Sequence, residues 1–326
     1  MSASVRGQGR VPGTGTRRVA VAGLVGATAV WGWSYLATAW LLPEMGTASL
    51  VAVRFLLAGL LMVAARPRAV LSLGRRSVFA GLALACFLGA GTLLQVQGQH
   101  SLPASQSGFL TSLFVILTPL VARVLFKARV PSAVWAAAAV AAAGLAVISF
   151  NGVSFGIGTW LTLGAALCYS VQMSLLSAYA SAGNAYGLAA LQILGTGVLA
   201  LLWALPGGVD LPDTGPGWGW LAYSALFATL GMYLVQTWAQ SLVPAATAAV
   251  VLACEPLFVS LFSLLVGIAP TARTAVGGLL IVLAMCLVIA AEQRRGRAAV
   301  VSVPGGSVPA PGPDPDNPQD TSVTAH

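Results

Sequence analysis

Two ionisable side chains fall inside long apolar stretches, Glu255 in VVLACEPLFVSLF and Arg54 in LVAVRFLLAGLL. A carboxyl group can take up and release a proton, so Glu255 is the candidate for proton coupling. An ionised carboxylate at the centre of a membrane helix costs about 2.5–3.5 kcal/mol, so it must be neutralised, paired or hydrated. Arg54 cannot shed its charge and needs an acceptor. That acceptor is either an anionic group of a solute, or Glu255 or backbone carbonyls in a structural pairing. Pro256, directly after Glu255, removes a backbone donor and is a candidate helix break, as is Pro119 in an earlier apolar stretch. Two glutamine pairs, Gln95 with Gln99 and Gln236 with Gln240, are spaced to share a helical face. An amide turned to lipid leaves its donors and acceptors unsatisfied, so these faces belong either between packed helices or against a watery cavity. Trp31 and Tyr35, one helical turn apart, together with Thr111, Tyr169, Gln172 and Trp238, complete the candidate cavity lining.

Other chemistry is poorly supplied. The histidines are His100, at the end of an apolar run where simple helix-end exposure accounts for it, and His326. Two scattered histidines do not make a metal cluster, and no metal or cofactor is expected. Cys86, Cys168, Cys254 and Cys286 all sit in apolar stretches without CxxC spacing, and are expected to be free, buried and inert.

The elements that must position these residues are membrane helices. Of the 326 residues, 58% are hydrophobic and 7% charged, with mean hydropathy +0.88, far from soluble composition. Ten apolar segments of helical spanning length are bounded by Pro, Gly, Asn or Arg clusters. The first five are 19–40, 46–65, 78–98, 104–126 and 133–150; the second five are 156–178, 185–205, 218–240, 245–267 and 274–291. Every Lys and Arg except Arg54 and Arg273 falls at ends of these spans that share one side of the membrane. The positive-inside rule makes that side cytoplasmic and puts both termini there. Glu44, Asp210 and Asp213 lie on the other face. The net charge of +8 therefore reports topology, and no nucleic-acid partner is expected. Residues 1–18 form a basic cytoplasmic tail, and 292–326, rich in Pro, Gly, Ser and Asp, a disordered one.

LLQVQGQHSLPAS, 93–105, returns 141 residues later as LVQTWAQSLVPAA, with Gln95, Gln99, Pro103 and Ala104 repeated as Gln236, Gln240, Pro244 and Ala245. A weaker echo, offset by 138, relates Trp31 to Tyr169 and Arg54 to Gln192. Repeats of 19–150 and 156–291 with five spans each enter the membrane from opposite faces, because five is odd. The expected fold is an all-α integral membrane protein of ten transmembrane helices in two inverted five-helix repeats. The glutamine pairs would then rim two mouths. Glu255 has no acidic twin, since its counterpart is Phe114. Trp33, Trp40, Trp218 and Trp220 read as interface or lipid-packing residues, and Gly152, Gly156, Gly277 and Gly278 as close-packing points.

Trp31-Gly32, Arg54-Phe55, Phe109-Leu110-Thr111-Ser112-Leu113 with Thr118-Pro119, and Glu255-Pro256-Leu257 resemble the EamA-type family of drug/metabolite transporters, over residues 19–291. The resemblance implies a bacterial inner-membrane permease, an exporter of amino acids, related metabolites or toxic compounds, with a central cavity and proton coupling. Its partners would be the lipid bilayer, a small-molecule substrate and protons. The chain departs from the family where an acidic residue commonly ends the ninth helix, since Gly267 is followed by Ile268. A channel or lipid-handling protein without coupled transport is the rival reading. A membrane-embedded enzyme is the remoter one, because His100 has no evident catalytic partner.

Overall fold

The computed structural model describes residues 14–102, 104–149 and 156–267, and, between 272 and 290, residues 272, 273, 276, 277, 279, 280, 282–284, 286, 287 and 290. Both tails, residue 152, and the start and end of the tenth span lie outside the described residues. Among the described residues every regular element is helical. Helix α1 (Thr14–Leu41) is followed by α2 (Thr47–Ala65), a five-residue α3 (Pro67–Leu71), and α4 (Arg75–Gln99). The fourth span is divided into α5 (Ala104–Ser112) and α6 (Phe114–Phe126), and α7 is Ser132–Ser149. Next come α8 (Ile157–Tyr179) and α9 (Ala185–Ala204). The eighth span runs as α10 (Gly215–Tyr223), a π-helical segment (Ser224–Gly231) and α11 (Met232–Gln240). The ninth is divided into α12 (Ala245–Leu252) and α13 (Glu255–Leu265).

Eight spans among the described residues are long and apolar enough to cross a membrane: Gly15–Leu41, Thr47–Ala65, Arg75–Gln99, Ser107–Phe126, Ile157–Tyr179, Ala185–Gly207, Gly215–Gln240 and Ala245–Leu265. A shorter apolar helix covers Ser132–Gly144. The protein is therefore a multi-pass membrane protein. Large hydrophobic side chains such as Phe79, Trp160, Leu202 and Trp203 stay exposed on its flanks, as a hydrocarbon surrounding permits.

The two halves interleave. α4 packs along α8 and α9, and α1 along α11 and α13. α2 and α9 form a long antiparallel contact. At one end the Gly46 N–H (3.0 Å) and the Ser49 hydroxyl (3.2 Å) donate to the Asp210 carboxylate beyond α9; at the other, Tyr186 Oη donates to the Met62 carbonyl at 2.8 Å. Midway, a Cβ on Gly59 would lie 2.6 Å from Leu194 Cα, and a Cβ on Gly197 would lie 2.6 Å from the Leu56 nitrogen. Both glycines are needed for this approach of backbones. The contact is reciprocal: Gly197 stands 138 residues after Gly59, and Leu194 stands 138 after Leu56. The divided fourth and ninth spans also meet head to tail, α12 against α6 and α13 against α5.

The interruptions fall at Leu113 and at Ala253–Cys254, and Cys254 stands 141 residues after Leu113. At both places i→i+3 bonds replace the α-helical ladder, Ile116 N to Leu113 O at 3.1 Å and Leu257 N to Cys254 O at 3.0 Å. Pro256 occupies the first turn of α13, where a missing N–H is tolerated. Pro119 differs from the expectation, because it lies inside α6 and the chain is interrupted six residues before it. The cysteines also differ in part. All four are free, but only Cys254 is buried, Cys168 is half-buried, and Cys86 and Cys286 are exposed on the flank, where lipid rather than water is the apolar surrounding.

Candidate functional site

A cavity of about 690 Å³, counted out to its open mouth, lies among α1, α2, α4, α8 and the divided spans. Helical spacing places its lining. Trp31, Ser34, Tyr35 and Thr38 form one face of α1. Thr92, Gln95 and Gln99 on α4 have their counterparts in Tyr233, Gln236 and Gln240 on α11, and the first two of each set line the cavity, as does Gln99. Tyr169, Gln172 and Met173 come from α8, and Thr111, Phe114, Leu252 and Glu255 from the two interrupted spans. Glu255 begins α13 at the break and is 7% exposed. Its counterpart Phe114 lines the same cavity, so the approximate symmetry holds in shape and fails in charge.

The polar lining is linked. The Tyr35 hydroxyl is the hydrogen-bonding group facing the Glu255 carboxyl. Gln95 Nε2 donates to Tyr35 Oη and, at 3.3 Å, to Thr111 Oγ1, while Gln95 Oε1 accepts from Tyr169 Oη at 2.7 Å. Gln172 Nε2 donates to Gln192 Oε1 at 3.0 Å, and Gln192 Nε2 to Thr237 Oγ1 at 3.0 Å. Gln99 Oε1 and Gln236 Oε1 are buried with no hydrogen-bond partner among the described residues. Leaving a buried acceptor unpaired costs about 1–3 kcal/mol, so these two carbonyls are the open acceptors of the lining.

Arg54, 8% exposed, lines the cavity and donates from Nε to Thr229 Oγ1 at 2.6 Å. Thr229 in turn donates to the Ser224 carbonyl at 2.9 Å, within the π-helical segment. Among the described residues no carboxylate lies within ion-pair distance of Arg54, so its pairing with Glu255 is not made in this state. The same π-helical segment offers the Ala228 carbonyl to Trp31 Nε1 at 2.7 Å, and the Tyr223 hydroxyl reaches Val30 O at 2.7 Å. Helix α1 and Arg54 are thus latched to one distorted turn of the eighth span.

Two expected lining residues stand elsewhere. Trp238 is two residues, about 200° of helix, from Gln236 and packs instead beside Gly23 with the apolar cluster of Ala20 and Leu24. Gln240 turns its Nε2 to Met173 O and Ser177 Oγ of α8, both at 3.1 Å. The glutamines therefore do not rim two mouths: Gln95, Gln99 and Gln236 share a cavity because the halves interleave. His100 caps the end of α4, with Nε2 2.9 Å from Thr47 Oγ1. The residues not anticipated include Thr92 and Tyr233, and the same glutamine spacing extended back one turn reaches both.

Residues 18–150 match the EamA-like transporter family, and residues 156–290 match it a second time. The chain belongs to the EamA-like transporter family. This transporter is 28% identical over 186 residues to a protein of Archaeoglobus fulgidus described as an uncharacterized transporter. That match takes in 57% of this chain and 59% of the relative, less than two thirds of its length. A solved crystal structure superposes with a TM-score of 0.69 at 20% identity, covering 83% of this chain and 97% of its own, a likeness of fold. Family membership makes the protein a membrane transporter rather than an enzyme. Among the described residues no group of three or more His, Cys, Asp and Glu side chains is placed to hold a metal.

Proposed function

We propose that this transporter is a proton-coupled secondary exporter of a small organic solute, working by alternating access in a bacterial cytoplasmic membrane with both termini cytoplasmic. The observation that carries the reading is Glu255: a carboxyl at the interruption of the ninth span, buried yet lining the cavity that also holds Arg54. An acid so placed exchanges a proton with the cavity, and broken helices are where transporter sites occur. Trp31, Tyr35, Thr111, Tyr169 and the glutamines give the solute apolar walls and hydrogen-bond partners. Export is the direction that the sequence resemblance implies.

The architecture proposed for this cycle is ten helices in two five-helix repeats of opposite sense. The antiparallel run of α2 against α9, their reciprocal glycine contacts, and the interruptions 141 residues apart support it. Repeats so related allow one arrangement to exchange with its mirror across the membrane. Cysteines introduced beside Asp210 and beside Arg75 are expected to react with a membrane-impermeant maleimide from opposite faces. Labelling of both from one face would overturn the inversion.

The functional test starts from metabolites that accumulate outside cells with and without the protein. The solute so identified is loaded into vesicles containing the purified transporter. Flux is expected to rise at least about tenfold with an imposed proton gradient, roughly 1.4 kcal/mol of driving force, and to stop when a protonophore collapses it. Flux indifferent to the gradient would favour a channel.

A further inference from the structure

The polar side chains around Glu255 form a directed chain. Tyr35 Oη accepts from Gln95 Nε2, which leaves the Tyr35 proton for the Glu255 carboxyl it faces. Gln95 Oε1 accepts from Tyr169 Oη at 2.7 Å. Tyr169 has a second acceptor in reserve, Thr92 Oγ1 at 3.3 Å, whose own proton is committed to the Leu88 carbonyl at 2.8 Å. In this arrangement every donor points toward Glu255. That is the polarity an ionised carboxylate demands, since it only accepts.

A protonated Glu255 changes the demand at the head of the chain. Its O–H donates to Tyr35, whose proton must then turn to Gln95. Gln95 can receive it only by presenting its carbonyl, and a half-turn of the amide does this without moving the rest of the side chain. The amide N–H then points at Tyr169, which becomes an acceptor and sends its proton to Thr92. No bond is broken and no proton leaves the chain; only its direction reverses. The Tyr169 ring has little room to respond otherwise, because a Cβ on Gly91 of α4 would already lie 2.9 Å from Tyr169 Cε1.

We propose that Gln95 is a positioning residue whose amide reverses when Glu255 takes up a proton, so that the charge on Glu255 sets whether Tyr169 offers the solute a donor or an acceptor. The inference rests on the proton-coupled reading of Glu255 and adds to it the path by which the solute registers the proton. Neither the type of Gln95 nor its spacing required it, since packing between helices would equally have satisfied the amide. The other groups around Glu255 are Tyr35 from α1, Tyr169 from α8 and Tyr233 from α11, with Arg54 of α2 on the same cavity and held by Thr229. Of these, Tyr35 alone connects Glu255 to Gln95 by hydrogen bonds among the described residues.

Infrared difference spectra of the full-length protein in lipid vesicles, taken between high and low pH with ring-labelled tyrosine, read both ends of the chain without any solute. In the wild type, protonation is expected to give a carboxyl C=O band that is lost in Glu255→Gln, accompanied by a shift of a tyrosine C–O band that is lost in Tyr169→Phe. Gln95→Met is expected to keep the carboxyl band and lose the Tyr169 shift. Tyr35→Phe, which cuts the chain one link earlier and leaves Gln95 in place, is expected to do the same. Persistence of the Tyr169 shift in both variants would overturn the relay while leaving proton uptake at Glu255 intact. Absence of a carboxyl band assignable to Glu255 would overturn the relay and the coupling reading together.

Discussion

Glu255→Gln is expected to insert and fold as the wild type does, and to lose gradient-driven flux down to the level of empty vesicles. Glutamine keeps the shape of the side chain and its ability to receive a hydrogen bond from Tyr35, so the cavity wall is preserved. It cannot titrate. It also removes the cost of holding a carboxylate about half-way through the membrane, so stability should hold or rise. The substitution separates two steps of the cycle. Solute-for-solute exchange across the vesicle membrane requires only that the loaded protein change face, and is expected to continue in Glu255→Gln; net flux driven by protons is expected to stop. Wild-type rates of gradient-driven flux in the variant would remove Glu255 from the mechanism, and loss of exchange as well would make it a solute-binding group instead. The approximate symmetry of the site sharpens the expectation, because Phe114 stands where a second acid would be and supplies no substitute.

Gly59→Val is expected to have the largest effect on folding. The Cβ it adds would stand 2.6 Å from Leu194 Cα and 2.8 Å from Leu194 N, which are backbone atoms of α9 and cannot swing away. Helix α2 must therefore withdraw from α9. Overpacking of this kind costs about 1–3 kcal/mol, and more where main chain opposes main chain. The withdrawal would also carry Arg54, five residues away on α2, from Thr229. The measurement is the yield and thermal stability of monodisperse protein in detergent, with a fall in the apparent Tm expected. Gly26→Val is the control, since a Cβ there has nothing within 4 Å. Leu194→Ala is not expected to rescue Gly59→Val, because the obstruction is the backbone; rescue would show that side-chain crowding, not helix approach, set the requirement for glycine.

The broad reading was accessible in one dimension. The hydrophobic spans, the arginines gathered at alternate ends and the two charges inside apolar stretches are properties of local sequence, and each has a direct free-energy meaning in a bilayer. The glutamine spacing identified a polar face on α4 and another on the eighth span. It did not say where those faces point. Gln236 reaches the cavity and Gln240, one turn on, is taken by the carbonyl of Met173, a choice made by where α8 lies. Trp238 was misplaced for a simpler reason, since an aromatic side chain serves a cavity wall and an apolar packing site equally well.

Arg54 shows the same division more sharply. Sequence required an acceptor for it, and offered solute, Glu255 or backbone carbonyls. The structure supplies the hydroxyl of Thr229, 175 residues away, on a π-helical turn that no hydrophobic pattern announces. Likewise Pro119 marked a potential break, but the interruption came at Leu113, where it meets its counterpart at Cys254 across the interface of the fourth and ninth spans.

By itself, then, the amino-acid sequence determined that this is a polytopic membrane protein with a repeated segment, basic ends and an acid within the hydrocarbon. Burial in lipid depends on composition over some twenty residues, so it is written locally. Tertiary structure alone decided which helix faces meet, which glutamines share the cavity with Glu255, and what holds Arg54. Those outcomes depend on how the two halves interleave, with glycines such as Gly59 and Gly197 setting the approach of helices more than a hundred residues apart.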